Sequence, residues 1–259
     1  SISGGRVPAS LRLRTVEGVG AEAHDLLRLL DVVDLLGRVV VDDHRRGAPL
    51  ERVRAGTAHL DQALVPIAGV DRLAEALVRA PDIAEKCEFY GMYGSFDLGY
   101  GGSPEISAET NVRVFPDAFR TVIAANWKSA VITPLDTCGL VSLDGENYRR
   151  IWCARDDPLL RAVIENYCIW APRVPWLDCD FFTTATSTLF DDVAVYMAYD
   201  GSLLNYENIR FSVTDDGYTL RDPNGPYQAK VAISWKDLDS FEDHLTERLL
   251  RVHPTQKPN

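Results

Sequence analysis

Short apolar runs that read as strands alternate along this chain with segments of helical period, and this alternation constrains the fold more than any other feature. Residues 11–14, 38–41, 64–69, 87–92 and 129–134 carry strand-like runs. Residues 23–36, 70–79, 81–86, 116–125, 145–152, 158–171 and 187–199 carry apolar positions at helical spacing. Pro116 suits the first position of its helix, because its missing N–H would be unpaired there anyway. Towards the end, 209–213, 218–221 and 228–234 read as a short antiparallel β unit, and 241–251 as a closing helix. The expectation is an α/β fold, with a mostly parallel central sheet flanked by helices. No internal repeat or long linker divides the chain, so residues 1–259 are expected to form a single domain. In such sheets ligands sit beyond the carboxyl ends of the strands.

Composition narrows the partners. With 38 acidic against 27 basic residues the net charge is −11, which repels phosphate backbones and argues against nucleic acid. No apolar run approaches the roughly 20 residues of a membrane span. Residues 1–10 lack the apolar centre of a secretory signal. The five cysteines are odd in number and form no Cys-x-x-Cys pair. Reduced, mostly buried thiols in a cytoplasmic protein are therefore expected.

Three segments place polar groups just after predicted strands: Ser107 to Asn111, Thr133 to Cys138, and Thr188 to Val195. Each has a plain structural reading. Glu109 and Asn111 suit a loop surface, Asp136 suits a cap on the element it precedes, and Asp191 or Asp192 suits a helix N-terminus. The cluster Asp42-Asp43-His44 suits a solvated turn. Trp170, Trp176, Phe181 and Phe182 suit packing, or stacking on a flat ligand.

Taken together the segments resemble the inosine-uridine-preferring nucleoside hydrolase family over residues 83–198. Met92-Tyr93-Gly94 stands where the family has Met-Gly-Gly, and Glu109-Thr110-Asn111 where it has Glu-Phe-Asn. Phe115-Pro116-Asp117-Ala118 parallels Asp-Pro-Glu-Ala. Pro134-Leu135-Asp136-Thr137-Cys138 parallels Pro-Leu-Asp-Val-Thr-His, and Phe190-Asp191-Asp192 parallels His-Asp-Pro. The resemblance implies cleavage of ribonucleoside N-glycosidic bonds, with calcium activating water and binding the ribose hydroxyls. It places Met92, Glu109 and Asn111 at ribose-contacting positions and Asp191 at a calcium ligand.

The chain departs from the family where the calcium site is built. The family's Asp-Thr-Asp-x-Gly-x-Asp-Asp motif aligns with residues 13–18 and 23–26, where Arg14 and Val16 replace the first two aspartates and His24-Asp25 the later pair. Guanidinium and isopropyl groups cannot ligate a hard cation that needs several oxygens. Glu17 sits one position off in a strand, pointing to the other face. The alternative alignment makes residues 11–18 new sequence, and the metal motif is absent either way. Residues 42–64 are also shorter than the family's span, and Phe190 replaces a histidine.

The leading expectation is a repurposed, calcium-independent enzyme without a cofactor, acting on a nucleoside-like or other cyclic small molecule. In it Asp136, Asp191, His24 and Arg14 carry catalysis, and Met92, Glu109, Asn111 and Asp25 bind the ligand. Arg14 would replace the metal's positive charge, and His24 or Asp25 would move protons. The alternatives are a non-catalytic ligand-binding or scaffold subunit, and residual nucleoside hydrolysis. A homodimer or hetero-oligomer is expected.

Overall fold

A computed structural model describes residues 63–66, 70–173 and 184–251. The strands and helices expected at 11–14, 23–36 and 38–41 lie outside the described residues.

Six strands form one sheet in the order β1-β2-β3-β6-β4-β5. These are β1 (Ala63–Leu64), β2 (Glu88–Met92), β3 (Ser129–Thr133), β4 (Leu204–Val213), β5 (Thr219–Arg221) and β6 (Tyr227–Trp235). The pairs β1/β2, β2/β3 and β3/β6 are parallel, while β6/β4 and β4/β5 are antiparallel. The C-terminal antiparallel unit is thus not a separate appendage. β6 docks beside β3 and extends the parallel sheet, and β4 and β5 complete its far edge.

Nine helices accompany the sheet among the described residues: α1 (Asp71–Arg79), α2 (Asp82–Lys86), α3 (Thr110–Val114), α4 (Pro116–Ile123), α5 (Leu135–Cys138), α6 (Gly145–Cys153), α7 (Pro158–Trp170), α8 (Asp192–Tyr199) and α9 (Leu238–Arg251). Successive strand residues point to opposite faces, and the sheet is apolar on both. Phe89, Ile132 and Val231 pack with Leu77 of α1 and Phe119 and Val122 of α4. Met92, Val131 and Ala232 pack on the other face with Ile151 of α6, Leu160 and Ile164 of α7, Val193 and Met197 of α8 and Phe241 of α9. No described helix is long and apolar enough to cross a membrane.

Helix boundaries follow their end chemistry. Pro116 opens α4, as expected. α7 begins at Pro158 behind Asp157, whose carboxylate accepts from the amides of Leu159 at 2.8 Å and Leu160 at 3.3 Å. α8 starts only at Asp192, five residues after the helical start expected at Ser187. The preceding residues instead join a loop bridge, in which the Thr186 amide donates to the Leu143 carbonyl at 2.9 Å and the Leu189 amide to the Val141 carbonyl at 3.0 Å.

The thiols correct one expectation. Of the four described cysteines only Cys138 is buried; Cys87 is half-buried, and Cys153 and Cys168 are exposed. Cys153 closes α6 and Cys168 lies on the outer side of α7.

Candidate functional site

Parallel pairing puts Met92 of β2 beside Thr133 of β3, so two crossover loops leave the sheet at one edge. Backbone bonds join them there. The Tyr93 amide donates to the Thr133 carbonyl at 3.1 Å, and the Leu135 amide donates to the Gly94 carbonyl at 2.9 Å. Gly94 turns the chain with φ +83°, a conformation costly to any residue with a Cβ.

Glu109 caps α3. Its Oε1 accepts from the Asn111 amide at 2.8 Å, and its Oε2 accepts from the Val112 amide at 3.2 Å and the Gly94 amide at 3.4 Å. The side chain is only 2% exposed. Burial raises its carboxyl to about 7 against the pull of those three amides, and the nearby charge of Asp191 adds to the rise. Asn111 reaches back with its Nδ2 to donate to the Met92 carbonyl at 3.3 Å. Met92, Glu109 and Asn111, picked out in the sequence, therefore form one cluster at the end of β2.

Asp191 stands at the N-terminus of α8 with no side-chain capping bond. It keeps some solvent access, but so much protein surrounds it that burial raises its carboxyl to about 7. Asp192 is buried, raised to about 7 by burial and then by Asp191, and its Oδ2 has no hydrogen-bond partner among the described residues. Among the described residues none of Glu109, Asp191 and Asp192 has an ion pair.

Two further groups share this field. The Tyr93 hydroxyl is buried without a hydrogen-bond partner among the described residues, and it resists ionisation through burial and through the charges of Asp191 and Glu109. The Cys138 thiol is pushed up by burial, then by Glu109 and Asp191, and donates to the Pro134 carbonyl at 3.1 Å. On the outer side, the Tyr100 hydroxyl accepts from the Thr110 amide at 2.9 Å, and its ring meets Phe190 edge-on at 6.1 Å.

Asp136 has a different task from the one its sequence position suggests. It does not cap α5, which it occupies. Its Oδ2 accepts from the Phe96 amide at 2.9 Å, and its Oδ1 from the amides of Asp97 at 2.7 Å and Leu98 at 3.1 Å. Both oxygens are committed to organising the loop after β2.

Arg14, His24 and Asp25 lie outside the described residues, as do Trp176, Phe181, Phe182 and the cluster at 42–44. Trp170 ends α7, with its ring beside Tyr167 at 6.4 Å. Sequence reading missed Tyr93 and Tyr100. Tyr93 fills a position where the resembled family has glycine, and that departure was the available signal.

Among the described residues no three histidine, cysteine, aspartate or glutamate side chains gather as a metal site. Of the two carboxylates that share a field with Asp191, Glu109 is turned into the backbone and Asp192 is buried in the first turn of α8. The described residues do not by themselves fit a calcium ion.

No protein-family model matches the sequence. No curated protein matches it either. Solved structures do. A plant nucleoside hydrolase aligns with 73% of this chain at 20% identity and a TM-score of 0.57. A purine-preferring ribonucleoside hydrolase from Gardnerella vaginalis aligns with 80% at 19% identity and a TM-score of 0.55. An inosine-guanosine nucleoside hydrolase aligns with 73% at 16% identity and a TM-score of 0.56. The aligned part spans 62%, 67% and 60% of those chains. The α/β fold is thus nucleoside-hydrolase-like, and its structural neighbours are nucleoside hydrolases.

Proposed function

We propose that this chain binds a ribonucleoside or a similar cyclic small molecule at the carboxyl ends of β2 and β3, and acts on it by acid–base chemistry without calcium. The observation that carries this reading is the pair Glu109 and Asp191. Two carboxyls raised to about 7 stand near one another at the strand ends, with no ion pair among the described residues. A carboxyl titrating near neutrality can give or take a proton at working pH. Asp191, with no capping duty, is the proton-transfer group. Glu109 and Asn111 shape the ligand side, with the Met92 carbonyl already bound to Asn111. Asp136 supports the loop rather than touching the ligand. Arg14 supplies the positive charge that the family draws from its metal, and His24 and Asp25 complete the site. The calcium-free part of the reading is supported by the alignment that sets Arg14 and Val16 against the resembled family's first two metal-binding aspartates.

The test is turnover of inosine, guanosine and uridine, followed as released reducing sugar with and without a chelator. Release that survives the chelator and falls at least tenfold in Asp191→Asn supports the proposal. Release that requires added calcium contradicts it.

One observation favours a second reading, a ligand-binding subunit without catalysis. Glu109 and Asp136 both spend their oxygens on backbone amides, leaving Asp191 as the less committed carboxylate of the three. Saturable inosine binding without sugar release would select this reading.

A further inference from the structure

The loop carrying Gly94 to Leu98 is fastened from the opposite edge of the sheet. Thr219, in β5, is 1% exposed, and Ser95 is fully buried. The Thr219 Oγ1 accepts from the Ser95 amide at 2.9 Å and donates to the Ser95 carbonyl at 2.8 Å. One hydroxyl thus satisfies both backbone groups of a residue with no access to water. Ser95 passes the constraint on: its own hydroxyl donates to the Leu98 carbonyl at 2.7 Å and accepts from the Ser107 amide at 3.0 Å. Ser107 leads directly into Glu109, and the Gly94 amide beside Ser95 returns to Glu109.

The β4–β5 hairpin is itself held in place. A Cβ on Gly217 would fall 2.3 Å from the Arg113 Cα, so the turn lies against α3. Arg120 of α4 donates to the Val213 carbonyl at 2.8 Å and pairs with Asp215 at 2.6 Å. A Cβ on Gly94 would meet the Thr219 Oγ1 at 2.8 Å, so glycine there is what lets β5 come this close.

We infer that Thr219 is a positioning residue of the candidate site: its hydroxyl fixes Ser95, and through Ser95 the loop and helix that present Glu109 and Asn111. A group 110 residues beyond Glu109 in sequence thereby sets the geometry at the end of β2. Buried backbone groups left without partners do not stay in place at no cost, so removing the hydroxyl has to move or loosen this loop.

The experiment compares the full chain with Thr219→Val, which keeps the shape and loses the hydroxyl, and with Thr219→Ser, which keeps the hydroxyl. Amide hydrogen exchange is read peptide by peptide, and inosine affinity by calorimetry. In the valine variant, exchange in 94–98 and 107–112 is expected to rise about tenfold or more while 238–251 is unchanged. Inosine binding weakens by a similar factor, and the serine variant restores both. Unchanged exchange at 107–112, or equal acceleration throughout the chain, overturns the inference. The affinity arm rests on the nucleoside reading. If the parent protein ignores inosine, that reading fails alone, and the exchange pattern still decides the role of Thr219. If the valine variant does not fold, Ser95→Ala tests the same link, with faster exchange at 107–112 expected and unchanged exchange overturning it.

Discussion

Glu109 combines two demands that pull its carboxyl in opposite directions. Burial favours the neutral acid, while three amides favour the anion, and burial prevails with the carboxyl at about 7. A folded-state value above the ordinary carboxylate range means that the folded protein holds the proton more tightly than the unfolded chain. The stabilisation is full below the ordinary value near 4.5 and is lost as pH rises to about 7. Urea unfolding between pH 5 and 8 is expected to show that decline, up to about 3 kcal/mol. Asp191 and Asp192, also raised to about 7, add to the same decline, so Glu109→Gln, which is neutral throughout, is expected to make it shallower and not to abolish it. Asp136 makes a simpler case. Asp136→Ala leaves the amides of Phe96, Asp97 and Leu98 without their acceptor and is expected to cost about 2–4 kcal/mol in the same unfolding measurement. Asp136→Asn keeps one carbonyl acceptor and is expected to cost less. A protein that kept full stability in Asp136→Ala would return Asp136 to the list of catalytic candidates.

Elements set by local chemistry were legible before the structure. Pro116 opening α4, the apolar runs of β2 and β3, and Pro158 opening α7 all stand within one or two residues of their expected places. Elements set by distant contacts were not. The first half of β4 loses polar/apolar alternation at Glu207-Asn208 and carries a register shift between Asn205 and Tyr206, so it reads as a strand only once β6 supplies its partners. α3 is five residues long and depends on the Glu109 cap, while α5 is a single turn tied to the loop after β2. Close packing within an element gives its own test. A Cβ on Gly91 would fall 2.3 Å from the Tyr93 ring and 2.9 Å from Phe89. Gly91→Ala is expected to destabilise by about 1–3 kcal/mol, because both rings are buried and stacked and have little room to yield. Thermal denaturation checks this, and an unchanged midpoint would show that the rings relax freely.

At the scale of the whole molecule, the sheet order explains why the site draws on residues far apart in the chain. Parallel β2 and β3 deliver Met92 and Thr133 side by side, α8 brings Asp191 to the same edge, and the β4–β5 hairpin reaches over to fasten the loop between them. The family resemblance singled out Met92, Glu109, Asn111 and Asp191, which stand at the end of β2 or at the start of a helix. It did not reveal the true task of Asp136 or the part played by Thr219. The partners of Asp136 lie 38 to 40 residues away and those of Thr219 lie 124 away, and they are backbone groups with no residue signature. The proposed function requires this nucleoside-hydrolase-like fold to work without the calcium on which the resembled family depends. Calorimetric titration of the purified protein with calcium, run alongside inosine turnover in chelator, tests it most directly. The expected result is no heat of calcium binding and turnover unaffected by the chelator. Tight stoichiometric calcium binding, with turnover that appears only when calcium is restored, would contradict it.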